Sequence, residues 1–192
     1  MKLIFATNNQ HKADEIAAIV PANFQILTLK EAGIDIDIPE PWDTLEENAR
    51  EKSRTIYNLT NMACFSEDTG LEVAALNGEP GVKSARYAGE ERSNDSNIKK
   101  LLVNLELSED RSAQFRTVAC LIIDGAEYFF EGICKGKIAT ENSGSSGFGY
   151  DPVFIPDGTA KTFGEMNLDE KNHYSHRQKA INKLVTFLNN LI

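Results

Sequence analysis

The sequence predicts an α/β fold, a mixed central sheet with flanking helices. Three observations predict it. Short apolar strands and amphipathic helices interleave through the first half of the chain, and a strong hairpin signal follows. No repeat, low-complexity tract or inter-domain linker interrupts the 192 residues. At roughly 100–200 residues per domain, that length makes one domain or two closely joined lobes. Such a chain buries about 70% of the surface it exposes when unfolded, so its core needs no disulfide or metal staple.

The elements follow in order. Residues 2–6 read as a short buried strand, broken by the polar Thr7-Asn8-Asn9. A helix is predicted over 12–20, with apolar positions at Ala13, Ile16, Ala17, Ile19 and Val20, ended by Pro21. Residues 24–29 form a second strand candidate, and 35–41 alternate apolar and acidic residues as an extended segment does. Thr44-Leu45-Glu46-Glu47 reads as a capping box that opens a helix to about Met62. Residues 63–66 form a strand expected to break at Glu67-Asp68-Thr69-Gly70, with 71–76 continuing beyond it. Asn77-Gly78 and Pro80-Gly81 are turn signals, and 94–107 have a helical pattern. Residues 115–123 and 126–134 flank Asp124-Gly125, the hairpin signal. A Gly/Ser loop spans 143–149, and Ser175-His176-Arg177-Gln178 reads as a second capping box opening a helix to Leu191.

Composition excludes several functions. A formal charge of −9, from 29 acids against 20 bases, disfavours a nucleic-acid polymer, which demands a basic footprint. No apolar run approaches the roughly 18 residues of a membrane span, and the opening residues do not read as a signal peptide. Three cysteines without CxxC spacing suit a reducing cytosol. A small anionic substrate held with a cation remains open. Seven of the acids fall in residues 31–47 with no base among them, either as solvated surface or with some facing a cation.

Five segments carry candidate chemistry. The loop at Thr7 and Asn9 joins a strand to a helix start, where backbone N–H groups favour an anion and Lys12 can reach round as a point charge. It is not a Walker A loop, and an ordinary polar loop with a cap has the same appearance. Lys52 shares a helix face with Leu45, Ala49, Ile56 and Leu59, so it must snorkel, pair or bind an anionic ligand. Asn48 lies one turn before it. Glu67-Asp68 form either a surface turn or a carboxylate pair that compensates its repulsion with a cation such as Mg²⁺. Phe148 and Tyr150 flank Gly149, so a ring can lie against a planar ligand while Asp151 reads its polar edge; an aromatic core corner is the alternative. Lys171, His176 and Arg177 form the last cluster, two of them in a helix's first turn where cations oppose the dipole; either an acceptor-rich ligand offsets them or the helix start is solvated.

Together these segments resemble the inosine triphosphate pyrophosphatase family. The resemblance runs from Phe5 to the C-terminal helix, through residues 6–12, 44–49, 67–71, Pro80-Gly81, Ser84-Ala85-Arg86-Tyr87, residues 147–152 and Ser175-His176-Arg177. It implies a single ITPase-like domain over 1–192, two lobes around a cleft, a homodimer, and a cytoplasmic enzyme that cleanses the nucleotide pool. The implied reaction is Mg²⁺-dependent hydrolysis of ITP, dITP and XTP to the monophosphate and pyrophosphate. By position, Thr7, Asn9, Lys12 and Lys52 would hold the triphosphate, with Asn8 and Thr69 beside it. Glu40 and Asp68 would bind Mg²⁺, and Asp68 would be the base that activates water. Phe148 would stack on the purine with Gly149, Tyr150 and Asp151 beside it, while Lys171, His176 and Arg177 would read the 6-oxo edge. Many members carry two aspartates where Glu67-Asp68 stands here, and positions 8 and 11 are often glycine where this chain has Asn8 and His11. Two rival functions belong to other classes: a pyrophosphatase for modified pyrimidine nucleotides, and a non-catalytic nucleotide sensor.

Overall fold

The computed structural model describes residues 1–191. Within these, the strands are β1 (Lys2–Phe5), β2 (Gln25–Thr28), β3 (Cys64–Val73), β4 (Pro80–Gly81), β5 (Ser112–Ile123), β6 (Ala126–Ile138) and β7 (Phe154–Pro156). The helices are α1 (Gln10–Ala17), α2 (Leu45–Thr60), α3 (Asn94–Asn104), α4 (Leu168–Tyr174) and α5 (His176–Leu191). The sheet order is β2-β1-β3-β5-β6-β7, with β4 on β3. β1 pairs in parallel with β2 and β3, whereas β4 on β3 and β7 on β6 are antiparallel. The mixed α/β fold predicted above is therefore present. The described chain divides into two compact units: Met1–Asp68, Thr117–Gly132 and residues 177–191 make the first, and Thr69–Arg116 with Ile133–His176 make the second.

In the first unit, the two-residue period of a strand sorts side chains onto two cores. Leu3, Phe5, Phe65, Ala119 and Leu121 gather with Ile16 of α1 and Ile181, Leu184 and Leu188 of α5. Their sequence neighbours Ile4, Cys64, Cys120 and Ile122 gather instead with Ala49 and Ile56 of α2. Phe5 and Phe65 are opposite in the parallel register and their rings stack at 4.7 Å. The second unit has one core, in which Leu71 and Val73 of β3 meet Ile98 and Leu101 of α3 and the rings of Phe115, Phe154 and Phe163.

Local chemistry explains most boundaries. α1 begins at Gln10 because Asn9 caps it through Oδ1, and it ends at Ala17, so the helix predicted over 12–20 lies further towards the N-terminus. Thr44 caps α2 as expected, but its hydroxyl donates to the Glu47 carboxylate, so the reciprocal half of the box is replaced by a side-chain pair. Leu59 is off the buried stripe and exposed. Asp124 and Gly125, both at positive φ, join β5 and β6 in the two-residue turn that the sequence announces. β6 runs on to Ile138, beyond the predicted end at 134.

Two expectations are overturned. β3 does not break at Glu67-Asp68-Thr69-Gly70; it continues through them to Val73. The second capping box is not completed, because the Ser175 N–H donates to the Lys171 carbonyl and closes α4, a helix absent from the sequence reading, although α5 opens at His176 as expected. Complete boxes are found at Thr162–Glu165 and Asn167–Glu170, just upstream in the chain. No helix among the described residues is long and apolar enough to cross a membrane.

Candidate functional site

The parallel pairing of β1 with β3 positions the first part of the site. Ala6 N–H donates to the Phe65 carbonyl, so the loop after β1 starts beside the stretch of β3 that carries Glu67 and Asp68. Loop residues at the carboxyl ends of parallel strands are where α/β sheets bind ligands. Thr7 Oγ1 accepts from the Asn9 N–H at 3.1 Å, Asn9 Oδ1 accepts from the Lys12 N–H, and Asn8 donates to the Ile36 carbonyl at 2.9 Å. The loop is thus folded by its own side chains, with the start of α1 behind it.

Because β3 is continuous, Glu67 and Asp68 point to opposite faces. Each finds its own cation. Glu67, on the α1 and α5 face, meets Lys12 Nζ at 2.7 Å and both Nε and Nη2 of Arg177 at 3.2 Å. Arg177 Nη1 also contacts the Glu15 carboxylate of α1. Burial alone would raise the Glu67 carboxyl, but Arg177 and then Lys12 outweigh it and hold it well below the usual carboxylate range. Burial likewise opposes the charge on Arg177, and Glu67 and Glu15 overcome it.

Asp68 faces α2. Lys52, one side of that helix, places Nζ 2.9 Å from the Glu67 carbonyl, 3.4 Å from Asp68 Oδ1 and in contact with Glu40 Oε1. Of the three sequence options for Lys52, the protein alone adopts pairing. Burial disfavours its ammonium, yet Asp68 and Glu40 reverse the balance and its pKa rises. Burial lifts the Asp68 carboxyl above its ordinary value, with Lys52 and Lys12 opposing. Glu40 arrives by the alternation of the preceding segment: Ile34, Ile36 and Ile38 turn inward, Asp35 and Asp37 outward, and Glu40 falls on the inward parity. Asn48, 1% exposed, ties the arrangement together; it is bonded twice to the Trp42 backbone and donates to Asp68 Oδ2 at 3.3 Å. The sequence places Asn48 one turn before Lys52 without giving it a role, and it does not single out Glu15.

No cluster of three or more His, Cys, Asp or Glu side chains able to hold a metal exists among the described residues. Glu40 and Asp68 are two hard oxygen donors around one ammonium. Mg²⁺ is ordinarily held by one or two carboxylates together with substrate phosphates, so this donor set fits a magnesium ion that arrives with a nucleotide.

The second unit carries the remaining candidates. Asp151 Oδ2 accepts from the Phe148 N–H at 2.8 Å and from Lys171 Nζ at 2.7 Å. A methyl group on Gly147 would stand 2.0 Å from the same oxygen, and Gly147 has φ +76, so only glycine lets the loop close on Asp151. Lys171 Nζ lies 5.2 Å from the Phe148 ring centroid and 5.4 Å from that of Phe163. Tyr150 is buried, with its hydroxyl donating to the Ser84 carbonyl at 2.8 Å, and burial pushes its pKa up. Half of the predicted aromatic pair is therefore a core corner. Ser84 in turn accepts from the Leu71 N–H and donates to the Gly81 carbonyl.

The three cations grouped from sequence are divided between the two units. Lys171 sits with Asp151 and Phe148; His176 is buried in the second unit and stacks on Phe115 at 4.6 Å. Arg177, the next residue, belongs to the first unit with Glu67 and Glu15, and those carboxylates offset the dipole that the helix start presents.

The family model described as the Ham1 family matches residues 3–187. The chain belongs to the Ham1 family. Among Ham1 relatives, a dITP/XTP pyrophosphatase of Porphyromonas gingivalis is 50% identical over 188 residues, covering 97% of each chain. One of Flavobacterium johnsoniae is 48% identical and covers 98% of each. The structure of the Staphylococcus aureus Ham1 protein superposes with a TM-score of 0.90 at 40% identity over 100% of both chains, and that of a HAM1 protein from Coxiella burnetii does so with 0.90 at 35%.

Proposed function

We propose that this chain is a nucleoside triphosphate pyrophosphatase that hydrolyses the non-standard purine nucleotides dITP, ITP and XTP to the monophosphate and pyrophosphate. The observation that carries the reading is the pairing of Asp68 with Lys52, Glu40 and Asn48 in a chain whose relatives are named dITP/XTP pyrophosphatases. In this reading the triphosphate falls to Thr7, Asn8, Asn9, Lys12, Lys52 and Thr69. Asp68 accepts the proton of the water that attacks the α-phosphorus, and its raised pKa makes it a better base than an exposed aspartate. Lys52 and Lys12 offset the charge that gathers on the phosphate oxygens as pyrophosphate leaves. Glu40 and Asp68 would hold Mg²⁺, which when bound supplies further neutralisation of those oxygens. The purine falls to Phe148, with Gly149 beside it and Asp151 and Lys171 at its edge.

Lys171 and His176 present donors suited to a 6-oxo group. Adenine offers an amino group there, and donor set against donor leaves both unpaired, which disfavours ATP. Arg177, with Nε, Nη1 and Nη2 all facing carboxylates, acts in this reading by holding the first turn of α5 to β3 and α1. The same reading carries a single domain over 1–192 with two lobes, a homodimer and a cytoplasmic location. Cys64, Cys120 and Cys134 are buried thiols in no disulfide among the described residues, which accords with a reducing compartment.

A substrate panel of dITP, XTP, dUTP, dTTP and dATP with Mg²⁺, reading pyrophosphate and orthophosphate separately, tests the reading. Pyrophosphate from dITP and XTP is expected. Orthophosphate as the first product would overturn attack at the α-phosphorus, release from dUTP or dTTP alone would favour a pyrimidine enzyme, and binding without turnover would indicate a sensor. Asp68→Asn should lower kcat by about 10²–10⁴-fold, the range of a lost general base. Wild-type turnover by that variant would remove Asp68 from the chemistry.

A further inference from the structure

In the second unit, residues with no proposed ligand contact shape the loop that bears Phe148 and Asp151. The Ser143 N–H donates to the Pro152 carbonyl at 2.8 Å, closing the loop on itself. The short turn Phe163–Glu165 lies directly against it. Thr162 Oγ1 donates to the Ser143 carbonyl at 2.7 Å, and the Ser146 N–H donates to the Gly164 carbonyl at 2.9 Å. The two backbones approach so closely that a methyl group on Gly144 would stand 2.0 Å from the Gly164 oxygen. One on Gly164 would stand 2.7 Å from the Ser143 oxygen and 2.9 Å from Pro152 Cα.

The turn is itself stiff. Its capping box is complete, with the Thr162 N–H donating to the Glu165 carboxylate at 2.7 Å, and Thr162 and Phe163 are buried. Phe163 also lies near Lys171, which grips Asp151. A displacement of the turn would therefore reach Phe148 and Asp151 by two routes, through the loop backbone and through Lys171. The residues proposed to hold the phosphates belong, apart from Thr69, to the first unit.

We propose that the Thr162–Glu165 turn is the positioning element for nucleobase recognition, fixing the loop through Thr162 Oγ1 and the Gly144–Gly164 approach. Thr162, Gly144 and Gly164 are positioning residues; they act through Phe148 and Asp151 and set affinity for the base. This rests on the pyrophosphatase reading above.

Thr162→Val, Thr162→Ser and Glu165→Ala are compared with wild type. Steady-state rates with dITP and Mg²⁺ are measured, together with calorimetric affinity for 2′-deoxyinosine monophosphate and for inorganic tripolyphosphate. Loss of a buried hydroxyl bond in Thr162→Val should raise KM for dITP about tenfold, with kcat nearly unchanged. Monophosphate binding should weaken in parallel, tripolyphosphate binding should not change, and Thr162→Ser should restore wild-type behaviour. An unchanged KM in folded Thr162→Val, or an equal loss of tripolyphosphate affinity, overturns the proposal. If Thr162→Val does not fold, Glu165→Ala at the exposed end of the turn decides it, with a KM rise of about threefold expected and an unchanged KM counting against. If wild type releases no pyrophosphate from dITP, the functional reading fails by itself. Selective weakening of monophosphate binding in the variants would still support the turn's role.

Discussion

Two adjacent carboxylates show how far one residue's position decides its chemistry. Glu67 and Asp68 are neighbours in the chain, yet the strand sends Glu67 to Lys12 and Arg177 and Asp68 to Lys52 and Asn48. Their repulsion, which the sequence leaves either to a surface turn or to a compensating cation such as Mg²⁺, is relieved by separation onto two faces. Glu67→Gln leaves a buried guanidinium with reduced compensation, and a loss of about 3–5 kcal/mol is expected in urea unfolding. The sign of its pH dependence follows from the lowered carboxyl. A folded-state pKa below the unfolded one means the stabilisation is complete above the unfolded value and disappears as pH falls. Wild-type stability should therefore decline from about pH 4.3 downward, more steeply than that of Glu67→Gln. Equal slopes would assign the acid response to other groups.

At the scale of elements, most starts were legible and several ends were not. Thr44 and Asp124-Gly125 mark boundaries by local hydrogen bonding or backbone preference, which travel with the sequence. The continuity of β3 was not legible, because acidic residues in mid-strand become acceptable only when Lys12, Arg177 and Lys52 arrive from α1, α5 and α2. α4 escaped notice because its seven residues are mostly polar and show no apolar stripe. Tyr150 illustrates a residue whose element redefines it: read as a flank to a planar ligand, it instead secures the residues after Gly149 to Ser84. Tyr150→Phe removes that bond and leaves the Ser84 carbonyl with fewer donors, so a loss of about 1 kcal/mol is expected. A thermal shift too small to measure would show that the ring alone holds the corner.

At the scale of the molecule, the thiols and the metal make separable predictions. Burial pushes Cys64 and Cys120 up to about 12, so neither offers thiolate at neutral pH. A thiol-specific reagent should leave both unlabelled in the native protein and label both in denaturant; rapid native labelling would show that the core opens. Glu40 and Asp68, the residues proposed to hold magnesium, are paired with Lys52 in the protein alone, so the fold is expected to persist without the metal. Chelation should abolish dITP turnover and leave the melting temperature of the free protein unchanged. A large fall on chelation would point to a structural metal instead.

The sequence by itself determined the α/β class, the hairpin, the loop before α1 and the identity of the charged residues, since strand period, turn conformation and capping are local. It also placed Lys52 on a buried helix face. Tertiary structure alone decided which carboxylate meets which cation, because those partners are brought together by sheet register and helix docking over separations as long as that of Arg177 from Glu15. The same holds for the close approach of Gly144 to Gly164, and for the division of His176 and Arg177 between two units. Periodicity specifies the face a side chain takes; only the packed neighbour on that face specifies its partner.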